Sequence, residues 1–235
     1  MSLPKLQYPI NTINVPSLNK NHKFRPFLVK EEKLLLMARE SQNPADTLLS
    51  IKQIVNNCSL DKLDVNKLAI FDLEYIFLKL RAISIDNIVK VSYRDNEDKE
   101  VYEFEIDLND IKITFPKKPE DTIAITKNAG IKMKYPQATL YDDEKFLSLE
   151  KDYFFELIIR CIDTIYEGDT IYNPKDYTHQ ELSDFIDGLD VKTFESIQQY
   201  LLNVPKIEHV INYKNKLGND RQIILNSLND FFTWR

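Results

Sequence analysis

The sequence predicts an α+β fold, with an N-terminal β-hairpin arm, helical segments flanking a small antiparallel β-sheet, and a helical C-terminal half. Apolar residues recur at three- and four-residue spacing from about residue 30, alternate between residues 88 and 135, and return to helical spacing from residue 144 onward. Four of the ten prolines, Pro4, Pro9, Pro16 and Pro26, fall at the start of the chain, where they favour extended backbone and confine any strand to a sheet edge. The 235 residues are 43% hydrophobic, enough to bury a real core in one large domain or two small ones. The expected segments are an arm over residues 1–29, a helical segment over 30–87, a sheet over 88–140 and a helical segment over 141–235, with one continuous domain left open.

In the arm, the β-branched run from Ile10 to Val15 forms one strand, residues 23–29 pair with it, and the polar segment 17–22 turns between them. The chain then enters a helix near Lys30. Glu31 and Glu32 lie in its first turn, where the helix dipole favours negative charge, and Leu34, Leu35, Met37 and Ala38 make its buried side. Asn43 followed by Pro44 is an N-cap and first-turn pair opening a second helix, with Leu48, Leu49, Ile51, Val55 and Cys58 on its stripe. A third helix spans about residues 66–84, with Ile70, Leu73, Ile76, Phe77 and Leu80 inward.

Strands follow at 89–93 and 101–106, around an acidic tip at 94–100, then at 111–115 and in a pair, 122–126 and 131–135, turned at Asn128-Ala129-Gly130. Beyond them Phe154, Leu157, Ile158, Cys161, Ile162 and Ile165 form a helical stripe, broken by Gly168 and Pro174. Thr178 to Glu181 fits a capping box, Leu189-Asp190 with Phe194 fits an N-cap with a hydrophobic staple, and a last helix over about 220–234 buries Ile223, Ile224, Leu228 and Phe231.

Composition narrows the chemistry. A net charge of −6 and a pI near 5.2 leave no global positive field for a phosphate backbone or an anionic membrane. The two cysteines, Cys58 and Cys161, sit on apolar stripes as reduced core thiols, which suits a reducing cytoplasm. The N-terminus lacks the charged start and apolar run of a secretory signal, and no apolar run is long enough to span a bilayer, so a soluble protein is expected. The four glycines stand singly, which removes glycine-rich phosphate cradles.

No constellation reads as catalytic or metal-binding. His22, His179 and His209 are far apart and have no second ligand at metal spacing, and turn or helix-start positions already account for the first two. The cluster Asp95, Glu97, Asp98 and Glu100 lacks the glycine and the glutamate spacing of a calcium loop and reads as a solvated hairpin tip. Asp142, Asp143 and Glu144 prepare a helix N-terminus rather than a glycosidase pair. Lysines at 112, 117, 118, 127, 132 and 134 make the later strands locally basic, as edge-strand protection against aggregation would.

Three segments resemble the baseplate hub proteins of T4-like contractile-tailed phages: Leu3-Pro4-Lys5-Leu6 with Tyr8-Pro9, the block from Phe24 to Ala38, and the run from Phe71 to Ala82 with Ser84. A weaker similarity reaches the central strands and Phe231-Phe232. The resemblance implies a non-enzymatic hub subunit or hub assembly protein, acting through contacts with other baseplate or tail hub proteins in the host cytoplasm and the virion tail baseplate. It brings no catalytic residues, cofactor or metal, and leaves homo-oligomerisation open. Phe24, Arg25, Phe27, Tyr75 and Arg81 are the expected partner contacts, or the packing that positions them. The rival readings are a transient tail assembly chaperone absent from the virion and a tail-associated hydrolase.

Overall fold

The computed structural model describes residues 6–41, 43–61, 63–116, 120–149 and 152–231. The chain divides into two compact units, the first made of Met1–Thr114 with Lys206–Arg235, the second of Phe115–Pro205.

The first unit opens with a hairpin of β1 (Asn11–Val15) and β2 (Lys20–Phe24), in which Ile13 faces His22 and Asn11 faces Phe24. Ile13, Val15, His22 and Phe24 point inward while the residues between them face solvent, the period-two alternation of a half-buried ribbon. Three helices follow: α1 (Val29–Ser41), α2 (Pro44–Cys58) and, after a short 3-10 turn at Val65–Lys67, α3 (Ile70–Ser84). Asn43 caps α2 by accepting the Ala45 N–H at 3.0 Å. α3 is apolar nearly all round, with Leu73, Ile76, Leu78 and Leu80 wholly buried, as suits a central helix. β3 (Ile88–Arg94) and β4 (Val101–Asp107) then pair over seven residues, and β5 (Lys112–Thr114) leads out of the unit.

The second unit contains β6 (Thr122–Ala124), β7 (Ala129–Met133), α4 (Glu144–Leu147), α5 (Tyr153–Cys161), β8 (Ile162–Glu167), β9 (Thr170–Tyr172), α6 (His179–Asp187) and α7 (Val191–Leu202). Its strands form one antiparallel sheet in the order β6-β7-β8-β9. Ile131, Met133, Ile158, Cys161, Ile162, Ile197 and Tyr200 make its core with the inner sides of α6 and α7. The caps on both helices match their sequence signals: Thr178 and Glu181 form a reciprocal capping box, and Asp190 accepts the Thr193 N–H at 3.0 Å.

The chain returns to the first unit as β10 (Lys206–Lys214), β11 (Asp220–Leu225) and α8 (Leu228–Phe231). β10 lies between β11 and β5 in a three-stranded sheet.

The protein is therefore mixed α+β, but its C-terminal half is not helical, and the strands form four separate small sheets rather than one inserted sheet. Helices and strands interleave. The apolar stripe 154–165 divides at Cys161: the β-branched run from Ile162 pairs with β7 on one side and β9 on the other, so tertiary hydrogen bonding overrides helical spacing. The predicted helix at 220–234 is strand up to Leu225. Gly218, at φ +87°, turns β10 into β11, and Ile223 and Leu225 alternate inward along the new strand.

Smaller corrections have similar causes. The second arm strand begins at Lys20 and ends at Phe24, so Val29 opens a helix instead. His22 is a buried strand residue rather than a turn residue. On α1 it is Glu31, Leu35 and Ala38 that are buried, while Met37 is 66% exposed. Lys117, Lys118, Phe232, Trp234 and the opening Leu3-Pro4-Lys5 lie outside the described residues.

Candidate functional site

The strand-to-helix junction after β2 is built around a buried ion pair. Arg25 meets Glu31 with both arms of its guanidinium, Nη2 to Oε1 at 2.9 Å and Nη1 to Oε2 at 3.0 Å, the planar fork-to-fork geometry that arginine alone provides. Arg25 also donates to the carbonyls of Pro26 at 2.9 Å and Asn57 at 2.8 Å. Glu31 is the third residue of α1 and accepts the Leu28 N–H at 3.0 Å, closing the start of the helix as a capping-box glutamate does. Burial pushes the fully buried Glu31 carboxyl up, but the hydrogen bonds from Arg25 and Leu28 outweigh it and leave it below the usual carboxylate range. Its hydrogen bond to Glu31 raises the Arg25 guanidinium further. The neighbouring Cys58 thiol is pushed by burial up to about 12, which makes it inert.

The same junction is tied to α2 and α3. Arg25 N–H donates to Cys58 O at 2.9 Å, Phe27 N–H to Ser84 Oγ at 2.8 Å, and the Phe27 and Phe77 rings lie 5.7 Å apart. The arm turn is fixed separately: buried Asp72 accepts from Ser17 N–H at 2.9 Å and Ser17 Oγ at 2.5 Å. These ties anchor α1, whose outer side nevertheless exposes Val29 (73%), Leu36 (48%) and Met37 (66%) along one helical stripe with Lys33.

Of the residues singled out in the sequence, Phe24, Arg25 and Phe27 come together at this junction. Phe24 is wholly buried and acts through packing, while Arg25 and Phe27 are partly exposed. Arg81, also partly exposed, lies on α3 one turn before Ser84, and burial lowers its guanidinium. Tyr75 sits on a different part of α3, under the Lys79 ammonium at 5.1 Å from its ring centre, where Lys79 also holds the carbonyls of Leu108, Asn109 and Ile111. By sequence Glu31 reads only as a helix-dipole residue, although its position three residues into the helix and six after Arg25 signals the pairing.

The acidic hairpin tip is solvated only in part: Glu97 and Glu100 are exposed, but Asp95 is not. Asp95 is wholly buried and accepts from the Tyr213 hydroxyl, from Arg221 Nε at 3.1 Å and from the Glu97 N–H at 2.7 Å. Glu97 accepts from Asn215 and Asn219 at 2.6 and 2.7 Å, and Asp98 accepts the Lys216 N–H at 3.0 Å. The β3–β4 tip is thereby clasped onto the β10–β11 turn. The Tyr213 hydrogen bond holds the Asp95 carboxyl below its ordinary range, and burial pushes the Tyr213 hydroxyl up to about 12. The tip carboxylates thus serve architecture. Among the described residues, no group of three or more His, Cys, Asp and Glu side chains is arranged to hold a metal ion.

In the second unit a cleft of about 440 Å³ opens between the β7–β8–β9 face and α6. Its walls are mainly apolar, with Ile165, Leu182 and Phe185 beside the rings of Tyr166, Tyr172 and Tyr177, and Glu167 and Glu181 add carboxylates. Gly130 lets the wall form: a side chain there would collide with the Tyr166 hydroxyl and the Ile123 carbonyl. The cleft was missed from sequence because residues 162–166 read as the tail of a helix, which gave the three tyrosines no common face.

Buried charge thus holds elements of the first unit together, while α1 leaves apolar surface open. The chain matches the family described as T4 bacteriophage base plate protein over residues 8–233, and it belongs to that family. Neither the curated proteins nor the solved structures compared with it gave a match. Family membership gives the protein a structural, baseplate-associated role, with other phage tail and baseplate proteins as its partners. Among the described residues no helix is long and apolar enough to cross a membrane.

Proposed function

We propose that the protein is a subunit of the baseplate hub, or a hub assembly protein, that works through protein–protein contacts rather than catalysis. The observation that carries this reading is the α1 surface: Val29, Leu36 and Met37 form an exposed apolar stripe on a helix whose start is locked by Arg25 and Glu31. A fixed helix with an uncovered apolar side suits helix-in-groove recognition by a neighbouring subunit. In this reading Phe27, Tyr75 and Arg81 contribute contacts from partly exposed positions, and Phe24 and Arg25 hold the surface in place. The protein meets its partners in the host cytoplasm during assembly of a contractile tail.

Mass spectrometry on purified virions and on baseplate precursors from infected cells tests the reading. Presence in both is expected of a hub subunit, and presence only in precursors identifies a transient assembly factor. Absence from both overturns the hub proposal. A Leu36→Glu, Met37→Glu variant that folds normally and still enters precursors at the wild-type level would remove α1 as the contact surface.

A further inference from the structure

We infer that the cleft of the second unit is a docking pocket for a lysine- or arginine-bearing segment of another protein. The inference deepens the reading of the molecule as a docking subunit and rests on it, but it concerns a different surface with its own chemistry. A volume of about 440 Å³ with mainly apolar walls takes one or two side chains and excludes most of their water. What selects among side chains is the combination of three tyrosine rings with carboxylates. The Tyr172 hydroxyl donates to Glu167 Oε2 at 3.4 Å, and the Tyr172 and Tyr177 rings lie 6.4 Å apart at 57°. Ring faces attract cations, and a carboxylate beside them adds a charged partner for an ammonium or guanidinium head whose methylene stem lies along the apolar wall.

The surrounding charge points the same way. Residues 162–190, which supply β8, β9 and α6, carry eight Asp and Glu side chains and one lysine, Lys175. Their net −7 exceeds the −6 of the whole chain. Among the described residues none of these carboxylates has a lysine or arginine ion-pair partner, in contrast to the neutralised Glu31 and Asp95 of the first unit. The charged side chains that line the cleft, Glu167 and Glu181, are of one sign and concentrate the opposite sign at its mouth. β9 is also the end strand of its sheet, and Tyr172 belongs both to that strand and to the cleft wall. An extended basic segment can pair along β9 while placing a cationic side chain in the pocket.

The test titrates the full chain with a blocked Lys-Phe-Lys peptide and a blocked Glu-Phe-Glu peptide, followed by calorimetry and by backbone amide shifts. The expected result is binding of the basic peptide alone, weakening as salt is raised, with shifts centred on Tyr166, Tyr172 and Tyr177. Glu167→Gln and Tyr177→Ala, each checked for an unchanged melting temperature, are expected to weaken it about three- to tenfold. Equal binding of the acidic peptide, shifts elsewhere, or unchanged affinity in both variants overturns the proposal. So does concentration-dependent self-association that Glu167→Gln abolishes, because the occupant is then a second copy of this chain. Failure of the hub reading shows instead as absence from virions and precursors, which the peptide titration does not register.

Discussion

The buried ion pairs of the first unit and the tyrosine-lined cleft of the second use charge in opposite ways. In the first, Glu31 and Asp95 are wholly buried and each is met by an arginine: Arg25 at 2.9 Å and Arg221 at 3.1 Å. At the cleft, Glu167 and Glu181 have no lysine or arginine ion-pair partner among the described residues, although elsewhere in that unit Arg160 pairs with Asp143 at 2.7 Å. Charge that is desolvated and paired within the fold is architectural, and removing one partner exposes the full cost of burying the other. Charge left in solvent contributes little to stability and remains available to a partner. The contrast therefore predicts how each carboxylate responds to removal.

The largest effect is expected at the junction. Glu31→Ala leaves the largely desolvated Arg25 guanidinium beside α2 without its carboxylate and removes the cap on α1, so a loss of about 2–4 kcal/mol is expected in urea unfolding. Replacing both partners with apolar residues, Arg25→Met with Glu31→Leu, should recover most of that loss, because no orphaned charge remains. The pair also sets an acid limit. The Glu31 carboxyl lies below its ordinary 4.5 in the fold, so its contribution is fully present above 4.5 and disappears as pH falls through the lower folded value. Wild type should lose stability there, and the apolar double variant should lose less. A single substitution costing under about 1 kcal/mol would mean that the junction is not held by this pair.

A smaller effect of opposite sign is expected on α3. Burial raises the Glu74 carboxyl from 4.5 to about 7. The fold therefore prefers the protonated form: there is no penalty below 4.5, the cost grows between 4.5 and about 7, and it is complete above that. Glu74→Gln, which keeps the shape without the charge, should stabilise the protein by about 1–3 kcal/mol well above neutral pH and leave it unchanged in acid. Thermal melts across that range decide it, and a pH-independent difference would show that packing rather than ionisation is responsible.

The comparison also explains what could be read from the sequence. Local signals were legible: Asn43 before Pro44, the Thr178–Glu181 box, the Asp190 cap, and the alternation in β3 and β4 depend on residues a few positions apart. The misreadings came where distant partners decide the structure. Nothing near Ile113 reveals that it pairs with Ile207, and the run Ile223-Ile224-Leu225 fits a helix as well as a strand until it pairs with Ile211, Val210 and His209 of β10. The burial of Asp95 has the same origin, because it is neutralised by Arg221 from the far end of the chain. Of the proposed contact residues, the cluster Phe24, Arg25 and Phe27 was visible as a local block. The cleft was not, since Tyr166, Tyr172 and Tyr177 meet only after β8 and β9 fold onto α6.

The smallest effect is the most discriminating. Glu167 is exposed at the end of β8, and among the described residues its carboxylate has one polar contact, the long 3.4 Å bond from Tyr172, so Glu167→Gln should change folding stability by no more than about 0.5 kcal/mol. The same loss of one negative charge is expected to cost several-fold more at Glu31, where desolvation magnifies it. If Glu167→Gln destabilised the second unit by an amount comparable with Glu31→Ala, the cleft carboxylate would be a structural member, and the distinction between charge that builds the fold and charge that waits for a partner would collapse. If it instead raised stability slightly, the crowding of eight carboxylates within residues 162–190 would be the cause, since removing one relieves like-charge repulsion that only a bound cation otherwise offsets.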